Sequence, residues 1–76
     1  MQKYRDIDHD SGVDEFEILP TAILIKFEKT KTVYTYSYTK PGQQHVENMK
    51  KLALSGEGLN AYINENVYKK FESKRG

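Results

Sequence analysis

Two strand-forming runs separated by a short polar stretch constrain this chain more than any other feature. Ala22-Ile23-Leu24-Ile25-Lys26-Phe27-Glu28 is rich in β-branched and aromatic residues, and Thr32-Val33-Tyr34-Thr35-Tyr36-Ser37-Tyr38-Thr39 alternates with a period of two. Together they predict a hairpin that turns within Lys29-Thr30-Lys31, a stretch without the Asn-Gly or Asp-Gly pair of a two-residue loop, so the loop length stays open. Loop parity matters, because a slip of one residue moves every side chain to the other face. An even loop, Lys29-Thr30 or Thr30-Lys31, sets Tyr34, Tyr36 and Tyr38 on the face of Ile23, Ile25 and Phe27. An odd loop sets the tyrosines beside Leu24 and Lys26 and leaves Val33, Thr35 and Ser37 beside the isoleucines. Packing favours the even register, since burying Thr35 and Ser37 would cost hydroxyls in need of partners.

The need for those rings follows from composition. A chain of 76 residues makes one domain, and at this size folding buries only about 60% of the unfolded surface. Ala, Val, Ile, Leu, Met, Phe and Gly make up 27 of the 76 residues, a smaller share than the roughly 45–50% of ordinary domains. The six tyrosines must supply the missing apolar surface, each bringing one hydroxyl that needs a partner or water. There is no cysteine, so neither a disulfide nor a thiolate zinc site can staple the fold. The first apolar run, Ala22 to Ile25, is too short and too deep for a signal peptide or a membrane span, and a reducing cytoplasm is the expected compartment.

Around the hairpin the chain divides by composition. Residues 1–12 are polar, Asp-rich and closed by Ser11-Gly12, and are expected to be a flexible tail. Val13, Phe16 and Ile18 predict a short extended segment that ends at Pro20 and serves as an edge strand. Pro41-Gly42 breaks the second hairpin strand, and Val46, Met49, Leu52 and Ala53 follow at helical spacing until Ser55-Gly56, where glycine can supply a left-handed cap. Gly58 opens a second helical stripe of Leu59, Tyr62, Ile63, Val67 and Phe71, with Lys69, Lys70, Lys74 and Arg75 toward its C-terminal end. The expected architecture is α+β, a small antiparallel hairpin or three-stranded sheet followed by two α-helices packed on one face. Residues 13–72 form its single domain and residues 73–76 a basic C-terminal tail.

A hairpin ending in Tyr-x-Tyr, a Pro-started helix, and Gly-x-Gly-Leu-Asn-x-x-Ile at the start of the last helix occur here in that order. Over about residues 13–71 this order resembles the KTSC domain, found at the C-terminus of some lysyl-tRNA synthetases and as free-standing small bacterial proteins. The family's Tyr-x-Tyr corresponds to Tyr34-Thr35-Tyr36 or to Tyr36-Ser37-Tyr38. Its later motif falls on Gly58, Leu59-Asn60 and Ile63, with Leu59 where the family usually has an aromatic. The resemblance implies an RNA-binding role by association with the synthetase, and it speaks more directly to fold than to function.

The chemistry legible in the residues points to binding rather than catalysis. Asp8-His9-Asp10 offers metal-ligand atoms, but one tripeptide cannot converge three or four ligands, and a solvated tail is the expected reading. His45 and Glu47 are two apart on a helix and do not face one another, and no nucleophile with a paired base is visible. Gly56-x-Gly58 lacks the other glycines and the preceding strand of a dinucleotide loop, and a C-cap followed by an N-cap accounts for it. Asn60 and Asn64 share a helix face from which they could hydrogen-bond a partner, though Asn60 is better placed to satisfy backbone groups near the start of the helix.

Charge is asymmetric. Residues 1–17 hold six acids against Lys3 and Arg5, whereas residues 18–76 hold ten bases against five acids. Lys29 and Lys31 at the turn, with Lys69, Lys70, Lys74 and Arg75, are the expected phosphate contacts. Tyr34, Tyr36 and Tyr38 are read either as core or as a base-stacking row, and core is favoured by the register. The expected function is a non-catalytic, weakly RNA-binding accessory module without cofactor, metal or membrane. The alternative is a protein-interaction module working through an exposed sheet edge, as a monomer or weak homodimer.

Overall fold

The structure is a computed structural model that describes residues 1–5 and 12–75. Five antiparallel strands follow one another across a single meandering sheet: β1 (Gln2–Lys3), β2 (Val13–Leu19), β3 (Ala22–Phe27), β4 (Val33–Ser37) and β5 (Ser73–Arg75). Helix α1 (Gln43–Ser55) and the short helix α2 (Leu59–Tyr62), which continues as a π-helical turn (Ile63–Val67), cover one face. The α+β class and the two helices agree with the sequence pattern, while the sheet has two strands more than the three expected. Among the described residues no helix is long and apolar enough to cross a membrane.

The central hairpin has the even register. Ile23 lies opposite Tyr36, Ile25 opposite Tyr34 and Leu24 opposite Thr35. The Phe27 N–H donates to the Thr32 carbonyl at 3.2 Å, and the Lys31 N–H returns to the Phe27 carbonyl at 3.0 Å, with Lys31 in the left-handed region at φ 59°. Tyr36, Ile23 and Ile25 are therefore buried together with Val46 and Met49 of α1 and with Leu59, Ile63 and Val67.

In β2, Val13 and Phe16 are three residues apart, yet both are buried, which a regular period-two strand forbids. A β-bulge resolves this: Val13 pairs with Phe27 but Glu15 with Lys26, so Asp14 is the extra residue and the inward set is restored.

Residues 1–5 are not loose, in contrast to the expectation for residues 1–12. Gln2 and Lys3 pair with Phe16 and Glu15, so β2 is not an edge strand along that stretch. Tyr4 is only 2% exposed, meets Phe16 edge-on at 6.4 Å, and accepts the Leu59 N–H on its hydroxyl at 3.3 Å, thereby capping α2. Arg5 donates to the Leu54 and Ser55 carbonyls at 2.7 and 3.1 Å, at the C-terminal end of α1 where the helix dipole favours a cation. The Lys3 ammonium donates to Asp14 at 2.6 Å. Residues 6–11, with Asp8-His9-Asp10, lie outside the described residues.

The C-terminal segment also departs from expectation. The second helix ends at Val67 rather than running on to Phe71. Tyr68 leaves helical geometry at ψ 123°, Lys69 follows at φ 62°, and the Lys70 N–H closes on the Val67 carbonyl at 2.9 Å. Ser73–Arg75, expected as a tail, then pairs with Val33–Thr35 as β5. Helix α1 keeps its predicted stop, Gly56 at φ 84° donating its N–H to the Leu52 carbonyl at 3.0 Å.

Replacing Tyr4 by Ala removes a buried ring and the α2 cap, and is expected to cost about 3–5 kcal/mol in urea unfolding; a loose tail would give a value near zero. The hydrogen bond from Lys3, followed by its charge, holds the Asp14 carboxyl below the usual carboxylate range against the opposing effect of burial. Its stabilisation is thus present above the ordinary carboxylate pKa and is lost as pH falls through the depressed folded value. Asp14→Asn should flatten that acid limb in urea midpoints recorded from about pH 5 to about pH 2.

Candidate functional site

The hairpin turn, the π turn and the segment leading into β5 converge on one cleft of about 500 Å³, within the roughly 300–1,000 Å³ range of small-ligand sites. Phe27 and Tyr34 enter it from the hairpin, Ile63 and Asn64 from the π turn, and Tyr68, Lys69, Phe71 and Lys74 from the C-terminal segment. Gly12, Lys29, Thr30 and Tyr36 complete the lining.

The floor is a group of rings that hold one another. Tyr34 meets Phe27 edge-on at 5.3 Å and Phe71 edge-on at 4.7 Å, and lies nearly parallel to Tyr36 at 6.5 Å. Edge-to-face contacts of this kind add stability beyond area burial. Tyr68 differs, being 62% exposed, and stands as a wall whose ring is open to a ligand. The expectation that every tyrosine serves packing therefore fails at Tyr68.

Among the described residues no acid is paired with the cations around the cleft. The ion pairs of the described residues engage Lys3, Lys26, Lys31 and Lys50, all outside the lining. The Lys69 ammonium lies 5.6 Å from the Tyr68 ring and the Lys74 ammonium 5.9 Å from the Phe71 ring. These cations rest on aromatic faces rather than on carboxylates, and the described lining contains no acid. Burial, with a smaller contribution from Tyr34, pushes the Tyr36 hydroxyl above the ordinary phenol range, so it keeps its proton at neutral pH.

The six basic residues singled out in the sequence separate in space. Lys29, Lys69 and Lys74 reach the cleft. Lys31 leans toward Asp14 at 4.0 Å, Lys70 is exposed beyond the helix end, and Arg75 stands opposite Val33 on the sheet face away from the helices. Of the aromatic row, Tyr34 and Tyr36 line the cleft. Tyr38 instead packs toward α1, its hydroxyl donating to Glu47 at 2.6 Å, while Lys50 lies 3.0 Å from Glu47. Gly58, at φ 81°, precedes α2, and Asn60 is half-buried in its first turn. At that helix start the Leu59 N–H is met by the Tyr4 hydroxyl, and among the described residues the Asn60 side chain makes no hydrogen bond to the backbone groups there.

Sequence reading singled out Asn64 for a partner but missed Tyr68, Phe27 and the place of the half-buried Phe71 in the cleft. The available signal was Tyr68-Lys69-Lys70-Phe71, two aromatics enclosing two bases. A second cluster joins the helices: the Tyr62 hydroxyl lies 2.7 Å from His45 Nδ1 and accepts from Asn48 at 3.2 Å. Among the described residues no cluster of three or more His, Cys, Asp or Glu side chains could hold a metal ion. Comparison with protein-family models, with curated proteins and with solved structures finds no match.

Lys69 holds a positive φ without the freedom of glycine, a strain of the kind that clusters at ligand-binding positions. Lys69→Gly should raise stability in urea by about 1 kcal/mol, whereas the same change at an ordinary helical position would lower it.

Proposed function

We propose that this chain is a non-catalytic binding module that takes single-stranded RNA in the cleft between the hairpin turn, the π turn and β5. One observation carries the reading: an aromatic cleft with an exposed tyrosine wall is rimmed by Lys29, Lys69 and Lys74, none of which is paired with an acid among the described residues. Unpaired bases stack on aromatic faces while lysines track the backbone phosphates, and the two functions need to be interleaved at the spacing of a nucleotide. A base already stacked within a duplex cannot present its face to Tyr68. The resemblance to KTSC domains makes RNA the first nucleic acid to test.

The sheet edges offer less to a protein partner. They are the two-residue β1 and the three-residue β5, both exposed and carrying Lys3, Lys74 and Arg75. Short, cationic edge strands are a common device against strand pairing with another chain.

Fluorescence anisotropy with a short labelled single-stranded RNA should detect weak binding at low salt. Three phosphate contacts correspond to a log–log salt slope of about −2, at about −0.7 per contact on single strands. Substituting both Lys69 and Lys74 by Ala should bring the slope to about −0.7. Tyr68→Ala should weaken binding by about 1–3 kcal/mol with the slope unchanged. No binding at low salt would overturn the proposal.

A further inference from the structure

The cleft is lined by polar atoms that no described residue hydrogen-bonds. Three tyrosine hydroxyls are engaged within the structure: Tyr4 with Leu59, Tyr38 with Glu47, and Tyr62 with His45 and Asn48. Tyr36 is as deeply buried as Tyr4, at 2% exposure, yet among the described residues no group hydrogen-bonds its hydroxyl. Every fully buried side-chain nitrogen or oxygen of those residues does have a partner. The Tyr36 hydroxyl is therefore the point at which this residue reaches the cleft it lines. Tyr34, whose ring runs within 22° of parallel to that of Tyr36, has no hydroxyl partner among the described residues either.

The hydroxyl of a tyrosine with a buried ring normally bonds within the fold, and one directed to a cleft instead calls for an explanation. Packing alone is a poor one, because phenylalanine would fill the same space, and the hydroxyl adds only a donor that faces the cleft. Asn64 and Thr30 line the same cleft, and the Thr30 hydroxyl oxygen accepts the Thr32 N–H at 3.2 Å, which leaves its proton free to donate. The cleft thus combines an apolar wall for a flat ring with several donors for that ring's edge, and it places cations outside both.

We propose that Tyr36 is a specificity-determining residue: its hydroxyl donates to an acceptor on the edge of one unpaired nucleobase lying against Tyr68 and Phe71, with Lys29, Lys69 and Lys74 on the flanking phosphates. This assignment rests on the RNA-binding reading above. Donors from Tyr34 and Tyr36 together suit a base whose edge carries carbonyl oxygens, so uracil is preferred to adenine.

The test uses labelled pentamers of uridine, of adenosine and of abasic ribose phosphate, titrated at low salt into the wild-type chain and into Tyr36→Phe. The wild type is expected to bind the uridine pentamer tightest and the abasic pentamer weakest. Tyr36→Phe should lose about tenfold for uridine, the worth of one hydrogen bond, with little change for the other two. It should melt no lower than the wild type, since the ring is kept and no internal hydrogen bond is lost. Equal binding of the three pentamers, or an unchanged uridine preference in Tyr36→Phe, overturns the assignment while leaving RNA binding standing. A lower melting temperature for Tyr36→Phe means that the hydroxyl is spent inside the fold, which also overturns it. Failure of all three pentamers to bind removes the RNA reading and this assignment with it.

Discussion

The pairing of β3 with β4 is the constraint on which the rest of the molecule depends. Ile23 against Tyr36 and Ile25 against Tyr34 build a face that is apolar enough to receive both helices, in a chain with little other apolar surface. Because side chains alternate along a strand, that pairing also puts Leu24, Lys26, Val33 and Thr35 on the outer face. It fixes where the hairpin turn can meet the C-terminal segment. Each later element finds its position relative to this register: α1 over Tyr36, the π turn beside Tyr34, and β5 along the free side of β4.

Elements governed by local pattern were legible in the sequence. The hairpin and its parity followed from the cost of burying Thr35 and Ser37, and the end of α1 followed from Gly56. Ser37 is in fact buried, but at the end of β4, where its hydroxyl donates to Glu72 and accepts the Thr39 and Lys40 N–H groups. Features set by distant partners were not legible. The strand at Gln2–Lys3 depends on Tyr4 meeting a backbone group 55 residues away, and polar composition alone reads as a tail. The bulge at Asp14 showed only as the spacing of Val13 and Phe16. The helix end at Val67 carries no glycine or proline to announce it, because Lys69 takes a left-handed conformation without the usual residue.

The candidate site shows the same division. Residue types suited to a phosphate and a base were visible as separate lists of lysines and tyrosines, whereas convergence required the fold. Lys29 and Lys74 are 45 positions apart in the chain and share the cleft only because β5 pairs with β4 and the turn folds toward the π turn. Lys31 and Arg75, each close in sequence to a cleft lysine, are turned elsewhere, one by the left-handed turn position and the other by strand alternation. Proximity in sequence was therefore a poor guide to which cations act together.

The π turn at Ile63–Val67 makes the site sensitive to a kind of change that point substitution does not sample. A π turn holds one residue more than the α-helical turn it replaces, and turns of this type behave as single-residue insertions. Losing one residue there would turn it into an ordinary α-helical turn, drawing in the wide turn that carries Asn64 to the cleft while what lies beyond keeps its direction. Ile63 would keep its place in the core and Tyr68, Lys69 and Phe71 theirs beside the hairpin, but the part of the lining that Asn64 supplies would be remade. The length of this segment, as much as its composition, is thus part of what the chain encodes as its binding surface.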